Sequence, residues 1–248
     1  MTALPALRQL VFLAADLDTT LATARAEFGL REGISDAAGM AQLGFVHQVL
    51  TIGRTHLEFT APLSPDTGPG RLVAHRGDIG YMVVIQVADI DATIRRAAAL
   101  DLTPVLETPY EDNTITQWHP RDFGTLLELD QIRPADSWHM APRIFEIGST
   151  DVVGDVTGID IAVADPPTVA QTWATVLDIQ LRNQDTTLDL DGRTIRFVRA
   201  CRSAETGLVA VELPLTDPSA PARSVTVSGV DFRLVPAAAP TDNSLRLL

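Results

Sequence analysis

The chain has 248 residues and no lysine: all 19 of its basic residues are arginines. That absence excludes chemistry built on a lysine amine, such as a Walker phosphate loop, a pyridoxal Schiff base or a Ser–Lys nucleophile. There is one cysteine, Cys201, so neither an internal disulfide nor a cysteine-built zinc site can form. Cys201 lies in VRACRS with no cue for a catalytic thiol, and a small packed side chain is the expected role. No apolar run approaches the ~18 residues of a membrane span. The first twenty residues lack the basic start and small-residue cleavage site of a secretory signal, so they read as mature chain. Positive charge is scarce: 32 acidic residues against 19 basic ones give a net charge of −13. Such a surface repels phosphate backbones and sets nucleic acid aside as a partner. A cytoplasmic protein away from membranes is expected, and 46% hydrophobic with 21% charged residues excludes a disordered chain.

What is present is a repeat. LRQLVFLAADLDTTLATARAEFGL (7–30), IGYMVVIQVADIDATIRRAAALDL (79–102) and VTGIDIAVADPPTVAQTWATVLDI (156–179) share one order. Each has an aliphatic strand-like run, a turn at Asp16, Asp89 or Asp165, then a helix-like stretch. Strand signals follow every helix: AGMAQLGF, VHQVLTI and RTHLEFTA; TPVLETPY, ITQWHP and TLLELDQ; TTLDLD and RTIRFVRA. The predicted unit is therefore strand–helix–strand–strand–strand, at about 6–63, 78–132 and 155–201. LVAVELPL and SVTVSGVDFRLV add a fourth unit without a helix. The Pro- and Gly-rich PLSPDTGPG (62–70) and the stretch RPADSWHMAPR (133–143) read as linkers. Two domains are expected, 1–133 and 151–236, with a linker over 134–150 and a loose tail over 237–248. The predicted class is α+β, with tandem βαβββ units forming cupped mixed sheets and a degenerate second domain.

A paired βαβββ unit ending in HPRDFGTLLELD (119–130) resembles the vicinal oxygen chelate superfamily. That group includes glyoxalase I, methylmalonyl-CoA epimerase, extradiol dioxygenases and bleomycin-resistance proteins. The resemblance implies metal ligands at the first and last strands of each unit. Gln9 falls at the first-strand position, seven residues before Asp16, and Glu58 in HLEF and Glu128 in LLELD fall at the last-strand positions. The fourth position is Met82, a departure, since a thioether is a poor ligand for hard or borderline cations. In the third unit the same positions hold Gly158 and, opposite Glu58, Phe197, so the second domain is expected to lack a metal.

Strand alternation puts His56 on the face of Glu58, and His119 on that of Gln117. A glutamate facing a core is costly unless paired or metal-bound, which singles out Glu58 and Glu128. His119 is a candidate cleft residue, either a replacement ligand for the missing fourth position or a proton shuttle, and His47 and His56, which flank the first hairpin, are further candidate ligands. Trp118, with Tyr110 and Phe123, is a candidate pocket floor, and Arg121 or Arg54 a candidate carboxylate clamp. His56, Met82, Trp118 and Arg121 are the expected substrate contacts. His75 and His139 lie in linkers and are expected at the surface.

The resemblance implies a divalent metal (Zn, Ni, Co, Mn or Fe) on Gln9, Glu58 and Glu128, with His119 or a glutamate as base. The implied activity is isomerase, epimerase or lyase chemistry next to a carbonyl of a small-molecule substrate. A metal-free isomerase or cyclase, or a metal-free drug-binding protein, are the alternatives. An extradiol dioxygenase is disfavoured because no histidine pair stands at the first-strand positions. A monomer or a homodimer is compatible with paired units in one chain.

Overall fold

The computed structural model describes residues 3–110, 113–181, 186–202 and 205–237. The first unit opens with β1 (Ala6–Leu13) and turns at Asp16 into α1 (Leu17–Phe28). The Asp16 carboxylate accepts the Thr19 N–H at 2.7 Å, and Gly29 ends the helix in the left-handed region at φ 67°. The expected strand AGMAQLGF is instead mostly the short helix α2 (Ala37–Gln42). Ala, Met and Gln favour helix, and Asp36 caps it by accepting the Gly39 N–H at 3.0 Å. A single bridge, Ile34 to Val49, lies just ahead of that stretch. The hairpin β2 (Phe45–Ile52) and β3 (Thr55–Pro62) completes the unit. Part of the expected 62–70 linker is likewise helical: α3 (Gly68–Arg76) starts there, with the Thr67 hydroxyl accepting the Gly70 N–H.

The second unit runs β4 (Ile79–Gln86), α4 (Ile90–Ala98), β5 (Leu106–Tyr110), β6 (Asn113–Trp118), the turn α5 (Pro120–Phe123) and β7 (Leu126–Gln131). Asp89 caps α4 at the Ala92 N–H. A connecting segment carries the turn α6 (Arg143–Glu146). The third unit is β8 (Gly158–Val163), α7 (Pro166–Leu177), β9 (Thr187–Leu190) and β10 (Arg193–Arg199). Here Asp165 accepts the Thr168 hydroxyl at 2.6 Å rather than a backbone N–H. The fourth is β11 (Gly207–Leu215), β12 (Arg223–Val227) and β13 (Val230–Pro236), with no helix among its described residues.

One rule organises the 13-stranded mixed sheet. In each unit the opening strand pairs in parallel with the closing strand: β1 with β3, β4 with β7, β8 with β10, β11 with β13. Opening strands then pair antiparallel, β1 with β4 and β8 with β11, which joins the units two by two. The pairs meet where β11 touches β4, Leu208 against Gly80. This is the predicted tandem βαβββ architecture.

Aromatic residues on the helix side bind the two pairs. Phe12 stacks on Phe59 and meets Phe232, which also packs on Phe28. Trp118, Phe123, Trp173 and Phe197 form a second chain of edge contacts, and the Trp173 indole N–H donates to the Phe123 carbonyl. All eight side chains are buried in the main core, so apolar burial fixes how the pairs face each other.

Candidate active site

The concave face of β3, β1, β4 and β7 carries an open cup of about 500 Å³. Register explains which residues reach it. One row across the sheet reads Glu58, Val11, Met82, Leu126, and the next reads His56, Gln9, Val84, Glu128. Val11 faces Glu58 as Val84 faces Glu128, so Met82 stands in the second unit where Gln9 stands in the first. Three strand spacings of ~4.8 Å and a two-residue offset of ~6.6 Å put the two glutamate backbones about 16 Å apart. Inward side chains and curvature leave room for a small molecule between them.

Glu58 is the most firmly held group. Gln9 Nε2 donates to its Oε2 at 2.6 Å, and His47 Nδ1 lies 2.6 Å from its Oε1. The backbone N–H of Asp36 donates to His47 Nε2 at 2.8 Å. That donor makes Nε2 an acceptor, so neutral His47 carries its hydrogen on Nδ1, toward Glu58. The Trp138 indole N–H donates to Gln9 Oε1 at 3.1 Å, which fixes the Gln9 amide with its nitrogen on Glu58. Glu128 accepts from Gln117 Nε2 at 2.7 Å. Burial, then the nearby Asp130 charge, push its carboxyl up to about 8 against the opposing Gln117 hydrogen bond. That shift favours the protonated form at neutral pH.

The lower half of the same face is filled by the segment between the halves. Arg8 donates to Gln86 and to the Ala135 carbonyl, and Thr51 donates to the Ile144 carbonyl. His139 lies 2.8 Å from Asp130. Trp138 and Ile144 are buried against Val84 and Met82 in a second apolar cluster. Residues 133–147 thus act as a strap over the floor.

Gln9, Glu58, Met82 and Glu128 all line the cup. His56 shares their face but lies under the strap, wholly buried between Trp138 and Phe145, with burial holding its ring pKa down to about 3. It does not line the cup. Trp118 points to the opposite face, into the core against Phe123, so it floors no pocket. His119 is exposed as the cap of α5, its Nδ1 accepting the Arg121 N–H at 2.9 Å. Strand β6 ends at Trp118, so alternation no longer carries His119 toward the cup. Arg121 is exposed and pairs with its neighbour Asp122. His139, expected at the surface, packs between Tyr110 and Trp138. Cys201, expected to be packed, is exposed. Sequence reasoning missed Gln117 as a site residue, and Trp138; a Trp-His pair inside a supposed linker was the available signal.

The second pair of units has a different floor. Gly158 pairs with Thr194 as Gln9 pairs with His56, so Arg196, not Phe197, stands where Glu58 stands. Phe197 faces the core, the outcome of a one-residue offset that flips strand faces. Arg196 and Arg233 both grip the buried Asp160, at 2.5 and 2.6 Å, and Arg196 also reaches Glu212. Closing strands that bring glutamates to the first cup bring arginines here, neutralised internally.

No protein-family model matches the chain, and no curated protein matches it. Solved structures do. A methylmalonyl-CoA epimerase from Mycobacterium tuberculosis is 22% identical over 54% of this chain and 94% of its own, with a TM-score of 0.46. A methylmalonyl-CoA epimerase in complex with methylmalonyl-CoA and NH4+ is 22% identical over 55% of this chain and 100% of its own, at 0.47. A hypothetical protein from Staphylococcus aureus aligns over 93% of this chain and 99% of its own, at 0.66 with 12% identity. The fold is glyoxalase-like. The Staphylococcus aureus likeness spans both halves of the chain, and it speaks for the fold alone.

A glyoxalase-like fold raises the question of a cation, and the donor set answers it poorly. The Gln9 carbonyl is engaged by Trp138, and its amide nitrogen, which cannot ligate, faces Glu58. Both Glu58 oxygens already accept N–H groups, and a thioether holds the fourth corner. Among the described residues no group of three or more His, Cys, Asp or Glu side chains is gathered for a metal. As arranged, these residues do not fit a divalent cation.

Proposed function

We propose that the protein is a glyoxalase-like isomerase, epimerase or lyase, working without a metal, that moves a proton next to a carbonyl of a small organic molecule. The carrying observation is Glu58: a carboxylate on the floor of an apolar cup, both oxygens fixed by N–H donors. Glu58 takes the proton α to the carbonyl, and the C–H electron pair passes to the carbonyl oxygen as an enolate. With a hydroxyketone, neutral Glu128, oriented by Gln117, protonates that oxygen and takes up the proton of the neighbouring hydroxyl, while Glu58 delivers its proton to the former carbonyl carbon, so that carbonyl and hydroxyl change places. The site belongs to the first half, 1–133. The second half, 151–236, supplies none of the reacting groups. Among the described residues no helix is long and apolar enough to cross a membrane, and we propose a cytoplasmic monomer or homodimer.

The test is deuterium wash-in. Protein in heavy water is incubated with a panel of uncharged ketones and hydroxyketones, and loss of the α-proton signal is followed by NMR. Glu58→Gln should slow exchange by about 10²-fold or more. Exchange that is unchanged in that variant overturns the proposal. A metal-assisted version, with Zn, Ni, Co, Mn or Fe on Gln9, Glu58 and Glu128, requires Gln9 to leave Trp138. Elemental mass spectrometry of tag-free protein decides it: near-stoichiometric metal, lost in the Glu58→Ala/Glu128→Ala double variant, would replace the metal-free reading. The apolar walls and Met82 also suit a pure binding protein, for which no carbonyl compound would show exchange.

A further inference from the structure

The cup has a neighbour. A second cavity of about 230 Å³ shares Leu72, Tyr81 and Leu126 with it. Beyond that shared wall it is bounded by Gly80, Thr206 and Gly207, so the second half of the chain supplies one side. Gly80 is there for a reason of space: a Cβ would stand 2.2 Å from the Leu208 carbonyl oxygen. The backbones of β4 and β11 therefore meet closely beside the second cavity.

Charge is distributed unevenly along this path. Among the described residues lining the cup there is no arginine or histidine, and the chain has no lysine. Its polar groups are Gln9, Glu58, Thr60, Gln117, Glu128 and the Tyr81 hydroxyl. An anionic head placed there would meet a carboxylate and no cation, and burying it unpaired is costly. The one arginine on the path, Arg76, is at the second cavity and donates to the Thr206 carbonyl at 2.7 Å.

We infer that the two cavities form one elongated site whose ligand is uncharged and mostly apolar. Its carbonyl-bearing head lies between Glu58 and Glu128, and its tail passes Leu72, Tyr81 and Leu126 to the seam between the halves. An acyl chain or a flat ring system with a neutral polar head fits this chemistry; an acyl-CoA, with its phosphates, does not. The inference rests on the cup being the substrate site and adds the substrate class and a tail subsite contributed by the second half.

Displacement of the neutral dye N-phenyl-1-naphthylamine from wild-type protein tests it, using n-alkanols from hexanol to dodecanol and the matching n-alkanoates. Alkanol affinity should rise about fourfold per methylene, the equivalent of ~0.8 kcal/mol for each buried CH2, and should keep rising to the longest chain. Alkanoates should bind at least tenfold more weakly than alkanols of equal length. In Leu72→Trp, and independently in Leu126→Phe, the ratio of dodecanol to hexanol affinity should collapse, because the bulkier side chain closes the passage. A ratio unchanged in both folded variants overturns the joined site. Alkanoates that match or exceed alkanols overturn the uncharged assignment. Dye and alkanols that fail to bind at all overturn the cup as the ligand site, and the proposed reaction with it. Normal length dependence without deuterium exchange would sink the reaction while leaving the joined site standing.

Discussion

A single carboxyl, Glu128, makes the cup electrostatically unusual. Its folded-state pKa of about 8 lies above the ordinary 4.5, so the folded protein keeps a proton that the unfolded chain releases. By linkage the stability this represents is full below about pH 4.5 and is lost as pH rises through about 8. Solvent at the cup mouth reduces the effect, and about 2 kcal/mol is expected across the window. Glu128→Gln removes the titration. Urea unfolding at about pH 5 and pH 9 should show the variant losing less stability than wild type on going alkaline, and matching or exceeding it at the higher pH. Equal slopes would place Glu128 in open solvent. The same residue shows what sequence carries at this scale. Glu58, Glu128, Gln9 and Met82 were singled out by the resemblance to a known superfamily, and the strand register puts them on one face. His119 was not legible, because its face depends on where β6 stops, one residue earlier. Phe197 was not, because matching GRT motifs do not reveal the offset that puts Arg196 on the cup side.

Among elements, the strap over 133–147 was least legible. Its Pro-rich sequence reads as a linker, yet Trp138 and Ile144 are buried and four of its groups hydrogen-bond or pair across the floor. Such contacts are long-range, and local pattern holds no trace of them. The helix α2 was missed for a related reason: AGMAQLGF has strand-like apolar spacing, but the Asp36 cap and its alanines decide for helix. Strap and site are coupled through Trp138. Trp138→Phe keeps the ring packing and deletes the N–H that orients Gln9. The Gln9 carbonyl is then left unpaired, costing about 1–2 kcal/mol in chemical unfolding. Its amide is also free to turn, so Glu58 loses a fixed partner. Deuterium exchange should fall about tenfold in rate with little change in KM. A rate that follows wild type, with only the stability loss, would make the strap a structural cover.

For the whole molecule, the repeat rule was readable almost in full, because each of the first three units writes its own strand, turn aspartate and helix. The way the pairs meet was not, since it depends on a backbone contact that only Gly80 permits. Across the seam, Leu208 pairs with Gly80, and an added Cβ would lie 2.2 Å from a carbonyl oxygen that belongs to backbone and cannot swing away. Gly80→Ala must therefore part β4 from β11, at a cost of about 1–3 kcal/mol for forced overpacking. Gly68→Ala is the matched control: it lies in the first turn of α3, with nothing within 4 Å of the added carbon. That variant should be neutral or slightly stabilising, by up to ~1 kcal/mol, through the unfolded chain. Urea unfolding of both, with limited proteolysis between residues 148 and 157, separates the outcomes. Faster cleavage and lower stability in Gly80→Ala alone would show that the halves hold each other through this seam. Because Gly80 and Gly207 also wall the tail cavity, the same variant should lose affinity for the longest alkanols before the shortest. Identical stability and cleavage of the two variants would mean that the aromatic contacts of the core hold the halves by themselves.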